Sequence, residues 1–326
     1  MLRFTLLATV LTIVTAGCAP QPACMEEQAA VQSGGSQGAD TAPFHSSADP
    51  YEPGPLTVRT FAMERCQDGA PVPLLIHAPE ETGVYCVVVF QHGFMARNAM
   101  YGEILRHLAS HGFVVVAPQM YEPGIGPLLG NPTAAQEAIA AASVLDWISS
   151  HLADVAGVAV RTDLLGLAGH SRGGKVAWLV LTTNSGRAKA VAGVDPVDGT
   201  GGPLGNQARV VQGTFPFAIP SLVIGTGLGG SCAPASDNHV QFYAACQSPA
   251  WHVVAPDYGH GDMLDDQWAA ASGMACASGD DPGKMRRLTA GLLVAFFRGS
   301  LQGDEAAYSY LTDTLSTPAR IEVESK

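Results

Sequence analysis

The chain has 326 residues, with 17 Lys+Arg against 29 Asp+Glu, a net charge of −12; 14% of it is charged and 47% hydrophobic. That length and apolar fraction can bury one large core, of roughly 250 residues for an α/β domain. The acidic balance lacks the clustered Lys and Arg that phosphate backbones require, so no nucleic-acid partner is expected.

The N-terminus reads as a targeting segment. Arg3 supplies a positive charge, and the apolar stretch 4–14 is too short for a membrane span. It ends in Thr15-Ala16-Gly17-Cys18, which resembles a bacterial lipobox with Thr15 where Leu or Val is usual. Residues 1–17 are therefore expected to be a lipoprotein-type signal peptide and Cys18 the lipidated residue. The protein is expected to be exported to the cell envelope and held to a membrane by that lipid; a plain secretory signal is the alternative. Residues 18–55 are expected to be a flexible tether, because 25–55 is rich in Gly, Ser, Ala, Pro and acidic residues without an apolar period. Setting Cys18 aside leaves Cys24, Cys66, Cys86, Cys232, Cys246 and Cys276, an even number suited to an oxidising compartment. Their pairing stays open, and no Cys-x-x-Cys spacing suggests zinc or redox chemistry.

The folded domain is expected over 56–326. The stretch 56–62 alternates as a half-buried strand, with 72–77 its antiparallel neighbour. The β-branched run 86–90 is followed by Gln91-His92-Gly93-Phe94 and a helix over about 98–110. Further strands are expected at 113–117, 190–194, 221–225 and 251–255, the last of the sheet. A long Ala-rich helix over 132–152 places Ile139, Leu145, Ile148 and Leu152 on its apolar side, and Met285-Arg286-Arg287 opens a closing helix over 284–301. The β–α alternation implies one mainly parallel sheet with helices on both faces.

Within this pattern, Leu164-Leu-Gly-Leu-Ala-Gly-His-Ser-Arg-Gly-Gly-Lys175 reads as a buried strand, a sharp turn at Ser171, and a helix. Such a nucleophile elbow lifts a serine hydroxyl above a parallel sheet, and the glycines at 169 and 173 leave room where the turn is tightest. A serine nucleophile needs a base, an acid to orient that base, and donors for an oxyanion. Among His170, His239, His252 and His260, the last lies in a polar, Gly-flanked loop after the final strand, where an elbow enzyme places its base. His252 alternates into a strand and suits packing. Asp195 ends the strand 190–194 on the elbow side, although Asp-Pro also caps turns; Asp198 and Asp237 are rivals. The oxyanion donors are expected to be the backbone N–H groups of Phe94 and Arg172. Gly225-Thr-Gly-Leu-Gly-Gly230 matches a dinucleotide fingerprint literally, but Pro234 stands where its helix should begin and no acid follows at the required distance. No metal or cofactor is called for.

These stretches, with Ser110-His-Gly-Phe-Val-Val-Val-Ala-Pro-Gln-Met-Tyr121, Val194-Asp-Pro-Val-Asp-Gly-Thr-Gly201, Cys232-Ala-Pro234, Asn238-His239, Tyr258-Gly-His260 and Asp262-Met-Leu-Asp-Asp266, resemble a chlorophyllase of the α/β-hydrolase superfamily over about 85–305. The resemblance implies an α/β-hydrolase fold and hydrolysis of chlorophyll to chlorophyllide and phytol. It also implies Ser171, Asp195 and His260 as the triad and an apolar small-molecule ester as substrate. Residues 1–55 fall outside it, and the Gly/Pro-rich loop 121–132 is this chain's own. A general lipase, esterase or polyester hydrolase with the same triad is the nearest alternative. A non-catalytic surface-binding lipoprotein is one of another class.

Overall fold

Tyr85-Cys-Val-Val-Val-Phe90 is apolar at every position, which suits a strand covered on both faces. In the computed structural model of this chain it lies at the centre of a 9-stranded sheet. The structure describes residues 43–129, 131–199 and 208–326, so the signal segment, Cys18 and Cys24 lie outside the described residues. The strands are β1 (Val58–Met63), β2 (Leu74–Pro79), β3 (Val84–Gln91), β4 (Phe113–Pro118), β5 (Ala159–His170), β6 (Ala190–Val194), β7 (Ser221–Thr226), β8 (Ala250–Ala255) and β9 (Glu322–Ser325). Their order is β1-β2-β4-β3-β5-β6-β7-β8-β9. From β4 through β8 every neighbouring pair is parallel, and the antiparallel pairs stand at the two ends. This is an α/β-hydrolase sheet, with helices on both faces.

The helices are α1 (Gly102–Ser110), α2 (Ile125–Leu128), α3 (Ala134–Ala156), α4 (Arg172–Thr183), α5 (His239–Ala245), α6 (Asp266–Ser272) and α7 (Pro282–Leu301). Alternate residues of a strand point to opposite faces. Thus Cys86, Val88 and Phe90 join α1 and α7 in one buried cluster, while Val87 and Val89 join α3, α4 and α5 in the other. Local signals set the helix ends. Thr133 and Gln136 form a reciprocal capping box at the start of α3, and Gly157 closes it in a left-handed conformation at φ 56°. Pro282 occupies the first turn of α7, where its missing N–H costs nothing.

Several expectations are corrected. Ile139 is 70% exposed, because α3 buries the stripe carrying Ala141, Val144, Ile148 and Leu152 on its other side. The sheet does not end at β8: β9 pairs antiparallel with it as a polar edge. Packing begins before Leu56, since Tyr51 is 3% exposed and its ring occupies the space over Gly291 on α7. The six cysteines are not all paired. Cys232 bonds to Cys276 and Cys66 is disulfide-bonded, but Cys86 and Cys246 are buried free thiols on opposite faces of the sheet. Burial pushes the Cys86 thiol up to about 12 and Cys246 to about 11, so both behave as small apolar side chains.

Tyr51 anchors the segment ahead of β1 to α7. Tyr51→Ala should therefore lower the free energy of unfolding by about 3 kcal/mol in urea titration. Leu315→Ala, at a side chain 93% exposed, should change it by less than about 0.5 kcal/mol.

Candidate active site

The turn between β5 and α4 is as tight as its glycines demand. A Cβ at Gly173 would collide with the Gln91 carbonyl, and one at Gly169 with the backbone of Gly173. Ser171, between them, takes φ 54° and ψ −121°, a conformation side-chain-bearing residues rarely adopt. Its N–H donates to the Val194 carbonyl at 3.0 Å, and its carbonyl accepts from Val197 at 3.2 Å. The turn is thereby tied to the end of β6. Asp195 (φ 42°) and Met95 (φ 57°) share this unusual backbone region, at the end of β6 and in the loop after β3.

The side chains of Ser171, His260 and Asp195 meet. His260 Nε2 lies 2.9 Å from Ser171 Oγ, and His260 Nδ1 lies 2.6 Å from Asp195 Oδ2. With Asp195 an acceptor, the imidazole carries its proton on Nδ1, which leaves the Nε2 lone pair for the serine hydroxyl. Asp195 is fully buried, and its carboxylate also accepts from Thr226 N–H at 3.1 Å and Thr226 Oγ1 at 2.8 Å. Burial opposes its charge. The His260 hydrogen bond and charge, with His239 and Thr226, outweigh burial and hold the carboxyl below its ordinary range. The rival acids are engaged elsewhere: Asp198 lies 3.1 Å from Lys175 Nζ and accepts from the amides of Val210 and Val211, while Asp237 pairs with Arg209.

Asp262 organises the loop that carries His260, accepting from Gly259 N–H and Gly279 N–H at 2.7 Å each and from the Ser278 hydroxyl. Glycine is required on both sides of His260, because a Cβ at 259 or 261 would run into the segment 272–278. Cys276 in that segment is bonded to Cys232, on the loop after β7.

Phe94 lies in the loop after β3, and Arg172 directly follows Ser171. Arg172 is the first residue of α4, so its N–H has no earlier carbonyl to bind within the helix. No acceptor meets the Phe94 N–H among the described residues.

This arrangement suits transfer of an acyl group to a serine, and comparison with known proteins shows the family to which the chain belongs. The family model named Chlorophyllase matches residues 46–326. Chlorophyllase-2 of Arabidopsis thaliana is 35% identical over 285 residues, covering 80% of this chain and 87% of that protein. Chlorophyllase-1, chloroplastic, of Citrus unshiu is 37% identical over 269 residues (77% and 80%), and chlorophyllase type 0 of Chenopodium album 34% over 293 (83% and 84%). The chain belongs to the chlorophyllase family. It is a carboxylic-ester hydrolase with the α/β-hydrolase fold.

Around the three residues, this chlorophyllase-family site is held by a hydrogen-bond network that includes Tyr101, which the sequence did not single out, and gives His92 and His170 roles that it did not predict. His170 Nε2 donates to the His260 carbonyl at 2.9 Å, and its Nδ1 accepts from the Tyr101 hydroxyl at 2.8 Å. Tyr101 Oη in turn accepts from Gly93 N–H at 3.0 Å. One chain of hydrogen bonds thus links the loop after β3, the elbow and the His260 loop. His92 accepts from Met120 N–H at 3.0 Å through Nε2, so its Nδ1–H donates to the Gly93 carbonyl at 2.8 Å. The Arg172 side chain is buried, donating to Glu137 Oε1 at 2.6 Å and to the Pro132 carbonyl at 2.6 Å, with the Phe94 and Tyr121 rings beside it. Gly225 and Gly227, the core of the apparent dinucleotide fingerprint, have a packing reason instead: a Cβ would strike the His239 ring at 225 and the Pro256 backbone at 227.

Burial dominates the histidines. It drives His77, His92 and His111 down to about 4 and His170, helped by His260, to about 3, from 6.5. These rings are neutral when folded and charge when unfolded below about pH 6.5, so the unfolded chain binds more protons there. Stability is full above that pH and is lost as pH falls toward 4, each ring contributing at most about 1.4 kcal/mol per pH unit. Glu137, raised by burial against the pull of Arg172, acts in the opposite sense above its ordinary range. The four rings outweigh it. The urea midpoint should therefore be flat from pH 8 to 7 and fall steeply between 6 and 4; a midpoint independent of pH across that range would contradict this account.

Proposed function

We propose that this protein hydrolyses chlorophyll to chlorophyllide and phytol, with Ser171 as nucleophile, His260 as general base and acid, and Asp195 orienting His260. The observation that carries the proposal is the unbroken hydrogen-bonded row Ser171–His260–Asp195, in a chain matched to the chlorophyllase family from residue 46 to its end. Ser171 Oγ attacks the ester carbonyl while its proton passes to His260 Nε2. The N–H groups of Phe94 and Arg172 receive the oxyanion. The imidazolium returns the proton to the leaving phytol oxygen, and a water molecule, activated by the same nitrogen, releases the acid and restores Ser171. The buried Asp195 carboxylate stabilises the imidazolium without taking its proton.

The strained backbone at Ser171 and the nearby Phe94 and Arg172 N–H groups, which meet no acceptor among the described residues, support the acyl-transfer reading over a role in binding alone. The propionate-type ester of a long alcohol is the substrate that the relatives' names point to. We further propose that the protein is exported and anchored through lipid on Cys18. That rests on the lipobox-like Thr15-Ala16-Gly17-Cys18 and is in keeping with the Cys232–Cys276 disulfide, which suits an oxidising compartment. Among the described residues no helix is long and apolar enough to cross a membrane.

Purified protein should release phytol from chlorophyll and cleave a chromogenic short ester, with Ser171→Ala reducing both by about 10⁴-fold or more. Cleavage of the short ester alone would overturn chlorophyll as substrate and favour a general esterase. Turnover surviving Ser171→Ala would overturn the nucleophile. Thr226→Val removes the hydroxyl bonded to Asp195 Oδ2 at nearly constant volume. It should lower kcat about tenfold with KM unchanged, the cost of one hydrogen bond to a buried charge.

A further inference from the structure

Behind Asp195, on the side away from His260, lie two more imidazoles that the proposed reaction does not use. His239 and His252 are both buried. His239 opens α5 and lays its ring over Gly225, the residue with no side chain to obstruct it. His239 Nε2 lies 4.0 Å from Asp195 Oδ1, and His239 Nδ1 lies 2.8 Å from His252 Nε2. His252 Nδ1 in turn faces Glu324 Oε2 at 3.7 Å, on an exposed side chain of the edge strand β9. The row runs carboxylate, imidazole, imidazole, carboxylate, from the site to solvent.

A single proton lies between the two rings, and its position follows from what flanks them. On His239 Nδ1 it would leave the bare lone pair of Nε2 facing the Asp195 carboxylate, two acceptors opposed in a buried place. On His252 Nε2 it lets His239 carry its own proton on Nε2, toward Asp195 Oδ1, and turns the lone pair of His252 Nδ1 toward Glu324, whose exposed carboxylate is met by water, so the mismatch costs less there than beside the fully buried Asp195. The groups around the pair are Asp195 from β6, Thr226 from β7, Glu324 from β9, the Tyr243 ring stacked on His252 at 4.8 Å, and Lys326 Nζ 4.6 Å from that ring. Burial lowers both imidazoles, so the pair is neutral near pH 7. A proton added at lower pH settles on His252 Nδ1, opposite Glu324, and leaves the inner arrangement intact.

We propose that His239 is a positioning residue for ester hydrolysis: its Nε2–H, fixed by donation from His252, faces the far oxygen of Asp195 and keeps that carboxylate ionised and aligned on His260. The inference rests on the reading of Asp195 and His260 given above. Together with the Thr226 N–H, which donates to the same oxygen at 3.1 Å, the His239 N–H draws carboxylate charge toward Oδ1. Without it the charge shifts toward Oδ2, the oxygen that meets His260 Nδ1.

The test compares wild type with His239→Ala, His239→Gln and His252→Phe, each confirmed folded by its thermal midpoint. On a chromogenic short ester, His239→Ala should lower kcat about tenfold at unchanged KM and move the acid limb of kcat/KM up by about half a pH unit. His239→Gln, which again offers an N–H at similar reach, should recover most of both. His252→Phe, which keeps a ring against Tyr243 but loses the donor, should give a smaller shift in the same direction. Folded His239→Ala with wild-type kcat and acid limb overturns the proposal, as does a loss of kcat with an unmoved limb and no rescue by Gln. The low-field proton resonance of the Asp195–His260 hydrogen bond is read on resting protein, so it reports even where Ser171→Ala keeps its turnover and the nucleophile assignment fails. That resonance should shift in His239→Ala and return in His239→Gln; an unmoved resonance overturns the proposal independently.

Discussion

The close approach of the backbone at Gly173 to the Gln91 carbonyl is the contact on which the rest of the site depends. It forces α4 to begin hard against the end of β3, and the chain can make that junction only by bending sharply at Ser171. Holding a side-chain-bearing residue at φ 54° costs on the order of 1–3 kcal/mol. The surroundings overdetermine it: the Ser171 amide and carbonyl are both tied to the segment leaving β6, and the next residue in line, Asp195, is held at φ 42° by donating its N–H to Ile224 at 2.7 Å. Three adjacent parallel strands, β5, β6 and β7, thus supply the serine, the carboxylate and Thr226. Their side chains meet because parallel neighbours end at the same edge of the sheet.

That edge explains what could be read from the amino-acid sequence and what could not. Ser171 announces itself because the elbow is local: its glycines, its buried strand and its helix all lie within a dozen residues. Asp195 and His260 follow from strand ends and a Gly-flanked loop. Tyr101, Thr226 and the His239–His252 pair carry no such local mark. Tyr101 meets His170 across 69 residues and Thr226 meets Asp195 across 31, so only the assembled sheet brings them together. Gly225 shows the same limit, since its need for space comes from a histidine on a later helix rather than from a nucleotide.

The misjudged elements have equally physical causes. An Ala-rich helix such as α3 gives a weak apolar stripe, and Ile139 alone cannot say which face is buried. The edge strand β9, Glu-Val-Glu-Ser, has only one apolar residue and is defined by pairing with β8. Cysteine parity assumes that every thiol has a partner within reach, whereas Cys86 and Cys246 lie in the cores on opposite faces of the sheet. The polar composition ahead of Leu56 conceals two aromatic anchors, Phe44 against Tyr85 and Gly112 and Tyr51 against α7, whose area fastens the segment.

The site is built largely from imidazoles, and their neutrality is a structural requirement. His92 and His170 each have one ring nitrogen donating and the other accepting, so a second proton would place a donor against the Met120 amide or confront the Tyr101 hydroxyl. A lysine or arginine could only donate in these places, and a carboxylate could only accept. Neutral histidine is the side chain that can do both within a single rigid ring, and burial keeps it neutral. The same desolvation that costs acid stability therefore fixes each tautomer, and the fixed tautomers set the Gly93 loop, the elbow and the His260 loop relative to one another.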